Sequence, residues 1–125
     1  IRAMGPEMKK RGGGRIVTIS SIAGFSPSGS SIAYCVSKAG LIHLTRCMAV
    51  ALAPEVLVNG VAPGLMEGTR MTENLSPEYA ENARKSAVIR KAADRDDVGD
   101  AVRTFIATDS ITGQTLIVDG GKVYH

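Results

Sequence analysis

Tryptophan is absent, and three tyrosines and two phenylalanines hold the aromatics to 4% of 125 residues. Charge is nearly balanced: 15 Lys and Arg against 12 Asp and Glu leave a formal +3. Lys9-Lys10-Arg11 is the one basic run. Nucleic-acid binding asks for a larger basic patch, so that class is set aside. No uninterrupted apolar run approaches the roughly 18 residues that would suggest a membrane helix, so no span is expected. The two cysteines, Cys35 and Cys47, have neither metal-ligand spacing nor a C-x-x-C arrangement. Twelve residues apart on one helix, they cannot bridge each other. They read as buried reduced thiols, which suits a reducing intracellular compartment, with cytoplasm or plastid favoured.

What is present is a composition that is 44% hydrophobic and a length that suits one globular domain. Residues 30–53 read as one long helix, entered from a Ser/Gly-rich loop and closed by Pro54. Tyr34 and Lys38 lie near its start, four residues apart and therefore on one face. An ammonium beside a phenol favours the phenolate, and a tyrosine tuned in this way can exchange a proton in a transition state. Taken alone, the pair reads more readily as a lysine stem lying over a ring than as a catalytic pair. Small residues crowd it: Ser37, Ala39 and Gly40. His43, nine residues past Tyr34, falls on the far side of the helix and is assigned a structural role.

The remaining elements alternate around this helix. Ile1, Met4 and Met8 form the stripe of a first helix that Gly12-Gly13-Gly14 ends. Those glycines precede a strand instead of following one, so they are a turn and not a phosphate loop. Residues 15–20 are β-branched and form a buried strand, with Ser21 at its carboxyl end, where open α/β sheets place ligands. A lone serine there also suits a cap or turn. Residues 22–31 form a loop that could line a pocket. Residues 56–61 form a second strand delivering Pro63-Gly64 to the same sheet edge, as an ordinary turn or as a place where backbone approaches a ligand. Ser76-Pro77-Glu78 opens a helix reaching about residue 88, and Asp94 caps another with a Val98, Ala101, Val102, Phe105, Ile106 stripe. Asp96, Asp97 and Asp100 fit a helix N-terminus better than a metal site, and no metal is expected. Residues 114–118 are a third strand. Helical crossovers between strands imply a parallel sheet.

Ser21, Tyr34-x-x-x-Lys38, Asn59-Gly60-Val61-Ala62-Pro63-Gly64 and Thr112-Gly113-Gln114-Thr115-Leu116-Ile117-Val118-Asp119-Gly120-Gly121 occur in that order. The set resembles the second half of a short-chain dehydrogenase/reductase, over nearly all of the chain. It is most similar to the 3-oxoacyl-[acyl-carrier-protein] reductase-like branch. The resemblance implies the C-terminal part of a doubly wound (Rossmann) sheet, about three strands with flanking helices, as one domain over 1–125 whose N-terminal half is absent. It implies an NAD(P)-dependent enzyme, using NADP or NAD, that interconverts a carbonyl and a secondary alcohol on a small-molecule or acyl-carrier substrate. Tyr34 would be the proton donor, Lys38 would tune it and hold the nicotinamide ribose, and Ser21 would orient the carbonyl. Pro63 and Gly64 would pack against the nicotinamide. The main chain near Met66 and the Thr69 hydroxyl would meet the carboxamide or a phosphate, although Gly68 makes this spacing one longer than the usual P-G-x-x-x-T. Residues 76–88 would be a mobile lid. The family's glycine-rich phosphate loop and relay asparagine have no counterpart in these 125 residues, so the chain alone is expected to be inactive. With the edge of its first strand unpaired and one face of the long helix uncovered, it is expected to be poorly soluble or molten.

Related enzymes pair the long helix across a two-fold axis, implying a homodimer or homotetramer built on 32–53, with Ala49 on the exposed face. The competing expectation is a truncated, non-catalytic homologue acting as a scaffold or partner subunit. A strand followed by G-x-x-x-G-x-G upstream would decide for the enzyme.

Overall fold

The structure, a computed structural model, describes residues 1–124. Its elements start where the sequence supplies caps. Ser31 is extended, and its hydroxyl accepts from Tyr34 N at 3.1 Å, which opens α2, Ile32–Leu52. Ser76 does the same for α3, Pro77–Ser86, accepting from Tyr79 N, and Asp94 for α4, Arg95–Ala107, accepting from Asp96 N. The first helix, α1, is short, Met4–Lys10, and Gly12 and Gly13 follow it with φ of +87° and +149°. Only Met8 of its expected stripe packs into the core; Met4 is exposed.

Three strands, β1 (Gly14–Ile19), β2 (Val56–Pro63) and β3 (Thr115–Val118), form a parallel sheet in the order β1-β2-β3. All of β2 except Leu57 is buried. Successive side chains point to opposite faces. Val56 and Val58 meet Ala49 and Leu52 of α2, while Val61 meets Ala101 and Phe105 of α4. Helices therefore cover both faces, as a doubly wound sheet requires. Buried Asn59 clips the third strand onto the second: its Nδ2 donates to Ile111 O at 2.7 Å and its Oδ1 accepts from Gln114 N at 3.0 Å.

Several expectations need correction. Residues 22–24 form a 3-10 turn inside the supposed loop. Helix α3 ends at Ser86, because Ala87 is extended. Neither thiol is buried: Cys35 is half-buried and Cys47 exposed, both free. Cys47 lies off the stripe Ile42, Thr45, Ala49, Leu52 that α2 presses on the sheet. Ala49 is itself in that stripe, 4% exposed, so it is a core residue and not part of an outer face. By length and composition α2 could cross a bilayer, though no unbroken apolar run announces it. Here it is the helix that covers one face of the sheet, and Thr45 ties it down through a 2.7 Å contact with the Thr18 hydroxyl of β1.

Candidate active site

The carboxyl ends of β1 and β2 lie together because Ser20 N donates to Val61 O at 2.8 Å. The chain leaves β1 through Ser21, extended, whose Oγ accepts from Ala23 N at 3.2 Å and starts the 3-10 turn. The cap reading of Ser21 is therefore correct, and it leaves the hydroxyl proton without an acceptor among the described residues. That turn is pressed flat on α2. A side chain at Gly24 would come within 2.8 Å of Lys38 C and 2.9 Å of Ala39 N, a backbone approach that only glycine allows. The close packing brings Ser21 beside the first turns of α2.

Capping by Ser31 puts Tyr34 in the first turn and Lys38 one turn on. The Lys38 Nζ lies 5.6 Å from the Tyr34 ring centroid and donates to Ile19 O at 3.2 Å. An ammonium has three protons, so two stay available. The Tyr34 hydroxyl has no hydrogen-bond partner among the described residues.

The end of β2 forms the opposite wall. Gly64 N donates to Val118 O at 2.9 Å. A Cβ on Gly64 would sit 2.8 Å from Asp119 Cβ and 3.0 Å from Asp119 Cα, so the glycine is explained by strand-to-strand packing without any ligand. Buried Asp119 accepts from Gly121 N, Lys122 N and Val123 N, folding the chain after β3 back toward the same edge. The extra Gly68 is accommodated in the left-handed region at φ +67°. Thr69 Oγ1 lies 2.9 Å from Thr72 Oγ1, and Thr72 Oγ1 donates to Met66 O at 2.8 Å. Thr72, which the sequence reading missed, is thus the centre of this loop. Its only signal is a T-x-x-T spacing.

Ser21, Tyr34, Lys38, Pro63, Gly64, Met66 and Thr69 all line one cleft of about 300 Å³. Met71, Thr72, Leu75, Tyr79 and Ala83 cover it from the side of α3. The covering helix is held to the Gly64 loop by Arg84, which pairs with both Glu67 and Glu81. The hydrogen bond from Arg84, and then the charge of Lys85, hold the Glu81 carboxyl below its ordinary range. A larger open cleft, about 570 Å³, lies between Glu67 and residues 92–96 and contains none of the seven. His43 is exposed on the outer side of α2. Among the described residues no group of three metal-binding side chains occurs, and Asp100 pairs with Arg103.

A parallel sheet covered on both faces, with a cleft at its carboxyl edge, is the arrangement of the doubly wound, dinucleotide-binding class of α/β folds. A family model described as enoyl-(acyl carrier protein) reductase matches residues 1–123, and the chain belongs to the short-chain dehydrogenase/reductase family. It is 41% identical over 125 residues to human dehydrogenase/reductase SDR family member 4, covering 96% of this chain and 45% of that protein. It is 40% identical over 121 residues to the short-chain dehydrogenase/reductase homolog YusR of Bacillus subtilis, covering 97% of this chain and 92% of that one. Among solved structures, 3-oxoacyl-[acyl-carrier protein] reductase from Brucella melitensis superposes with a TM-score of 0.90 at 32% identity, over 99% of this chain and 48% of that one. Gluconate 5-dehydrogenase from Burkholderia cenocepacia, in complex with NADP and tartrate, gives 0.90 at 28%, over 97% and 49%. Apart from YusR, the chain spans about half the length of the curated relatives it matches.

Proposed function

We propose that the chain is the catalytic half of an NAD(P)-dependent oxidoreductase interconverting a carbonyl and a secondary alcohol. The observation that carries this reading is the convergence of Ser21, Tyr34, Lys38, Pro63, Gly64, Met66 and Thr69 on one cleft. The nicotinamide coenzyme, NADP or NAD, supplies the hydride when bound. Lys38 suits its ribose, having two protons to spare. Pro63, Gly64, the main chain at Met66 and the Thr69 side chain suit the nicotinamide end. The Tyr34 hydroxyl gives its proton to the substrate oxygen as the carbonyl carbon is reduced, and takes it back in the alcohol-to-ketone direction. The Ser21 proton holds the same oxygen in place. Lys38 keeps a positive charge over the Tyr34 ring while that proton is away. In the full-length protein, Tyr34→Phe should lower kcat by about 10²–10⁴-fold with coenzyme binding retained, measured by steady-state turnover and coenzyme titration. Near-normal turnover would remove Tyr34 from the mechanism, whereas a wild-type protein that binds coenzyme and substrate without turning over any carbonyl would favour the non-catalytic partner subunit.

The same reading includes a homodimer or homotetramer and a reducing intracellular compartment, the latter supported by two free thiols. Assembly is supported by the outer face of α2, where Ile32 is 85%, Val36 66% and Val50 82% exposed. Val50→Glu should split the oligomer, because an unpaired charge in an apolar contact is costly to desolvate. Light scattering at micromolar concentration checks this; a monomeric wild type would refute it.

A further inference from the structure

We infer that the substrate carbonyl carries an apolar body, an alkyl chain or ring, packed beneath residues 71–83, and not a polyhydroxylated one. This rests on the oxidoreductase reading above and adds the substrate class. Two independent features of the cleft lead to it. The first is its polar inventory. The lining contains Ser, Thr, Tyr and Lys, but no Asp, Glu, Asn, Gln, Arg or His among the described residues. Recognising several sugar hydroxyls takes paired donors and acceptors, which carboxylates, amides and guanidinium groups provide. Of the eight hydroxyl side chains in the lining, Ser20, Ser21, Thr69 and Thr72 are engaged within the protein. Ser20 Oγ donates to Val61 O, Ser21 Oγ accepts from Ala23 N, and the Thr69 and Thr72 hydroxyls serve each other and Met66 O.

The second feature is the covering wall. Met71, Leu75 and Tyr79 all border the cleft, yet remain 75%, 37% and 55% exposed. Large apolar side chains gathered at one cavity and left this open gain most from an apolar ligand laid against them. The polar residues Ser21, Tyr34 and Lys38 join the same lining from the end of β1 and the start of α2, not from residues 71–83. The cleft is therefore amphipathic, with its candidate proton donors and most of its large apolar side chains supplied by different segments of the chain. A ketone with an alkyl or ring substituent has this polarity, and a ketose does not. Methionines adapt to the shape they meet, so Met66 and Met71 favour selection by apolar length more than by outline.

The test uses the full-length protein with NADH and with NADPH. Substrates are methyl ketones of increasing chain length, butanone, hexanone and octanone, with fructose as the polyhydroxylated ketone. Binding of octanone is followed in parallel by ligand-observed NMR. kcat/KM should rise by up to about fourfold per methylene covered, and fructose should be the poorest substrate. Met71→Asp and Leu75→Asp, both outside the buried core, should each lower the octanone-to-butanone ratio of kcat/KM at least tenfold. Fructose turned over better than octanone, with Tyr34→Phe abolishing that activity, would overturn the apolar assignment and leave the oxidoreductase reading intact. Octanone binding that the aspartate variants weaken, with no ketone reduced under either coenzyme, would uphold the apolar site and overturn the oxidoreductase reading. Absence of octanone binding would overturn the inference.

Discussion

The second strand and the third helix reach the same cleft and are built in opposite ways. β2 is buried along nearly its whole length and clamped between two strands and two helices. It delivers Pro63 and Gly64 to the site. α3 has no buried residue at all and delivers Tyr79 and Ala83. One wall is fixed by the core of the domain, and the other by a cap and a few exposed ion pairs. Geometry that must hold to within fractions of an ångström is best provided by elements tied to the core. Admission and selection of a substrate need a wall that can move, and such elements come from the low-stability end of a fold. The difference implies that stability and selectivity can be changed separately here.

The largest break in that comparison comes from beneath the fixed wall. Phe105 is 5% exposed and packs with Val61 and Ala101. Phe105→Ala should cost about 3–5 kcal/mol, through lost burial and the cavity left behind. Tyr79→Ala on the mobile wall should stay within about 0.5 kcal/mol. Urea melts of the full-length variants compare the two; equal losses would mean that α3 is part of the core after all.

A smaller effect is expected where the fixed wall meets the site. Gly64→Ala must push the added methyl against the main chain of Asp119, 3.0 Å away. Overpacking of this kind costs about 1–3 kcal/mol. Because the displaced segment lines the cleft, activity should fall together with stability. A variant as stable as the wild type would show that β3 yields there freely.

Most of the fixed wall was legible in the sequence, and less of the mobile one. Caps are local chemistry: Ser31, Ser76 and Asp94 announce the helices they open. The β-branched runs and the Tyr34/Lys38 spacing are similarly local, so the strands and the shared face of Tyr34 and Lys38 could be placed by residue. Which face of α2 is buried was not legible, because apolar residues surround that helix. Ile42, Ala49 and Leu52 are in the core while Ile32, Val36 and Val50 are exposed. The assignments of Ala49 and Cys47 failed for that reason. The packing of Gly64 against Asp119 was not legible because that neighbour is 55 residues away in sequence and adjacent only across the sheet. Thr72 was missed because loop hydroxyls reveal their partners only once the loop has closed.

The smallest expected effect concerns what holds the mobile wall. Arg84 donates to Glu81 from Nε at 3.2 Å and from Nη2 at 2.9 Å, and pairs with Glu67 across the loop that follows Gly64. Hydrogen bonding to Glu81, opposed by some desolvation and then supported by Glu67, raises the Arg84 pKa, so the guanidinium stays charged throughout. The titrating partner is Glu81, whose folded pKa lies below the ordinary 4.5. A lowered carboxyl pKa stabilises the folded arrangement above the unfolded value, and this stabilisation is lost as pH falls through the folded one. α3 should therefore loosen below about pH 4.5, while β2, whose contacts are apolar, keeps its protection until the whole domain unfolds. Salt should act in the same direction at neutral pH, since raising it from about 0.1 to 1 M shortens the screening length from about 10 to 3 Å. Amide hydrogen exchange, expressed as protection factors, reads both effects. Glu67→Gln removes the cross-loop pair and should lower α3 protection at neutral pH without changing that of β2. If protection in α3 instead followed β2 across the acid range and ignored both salt and Glu67→Gln, the ion pairs would not be what holds this wall in place, and its apolar contacts with the cleft would be.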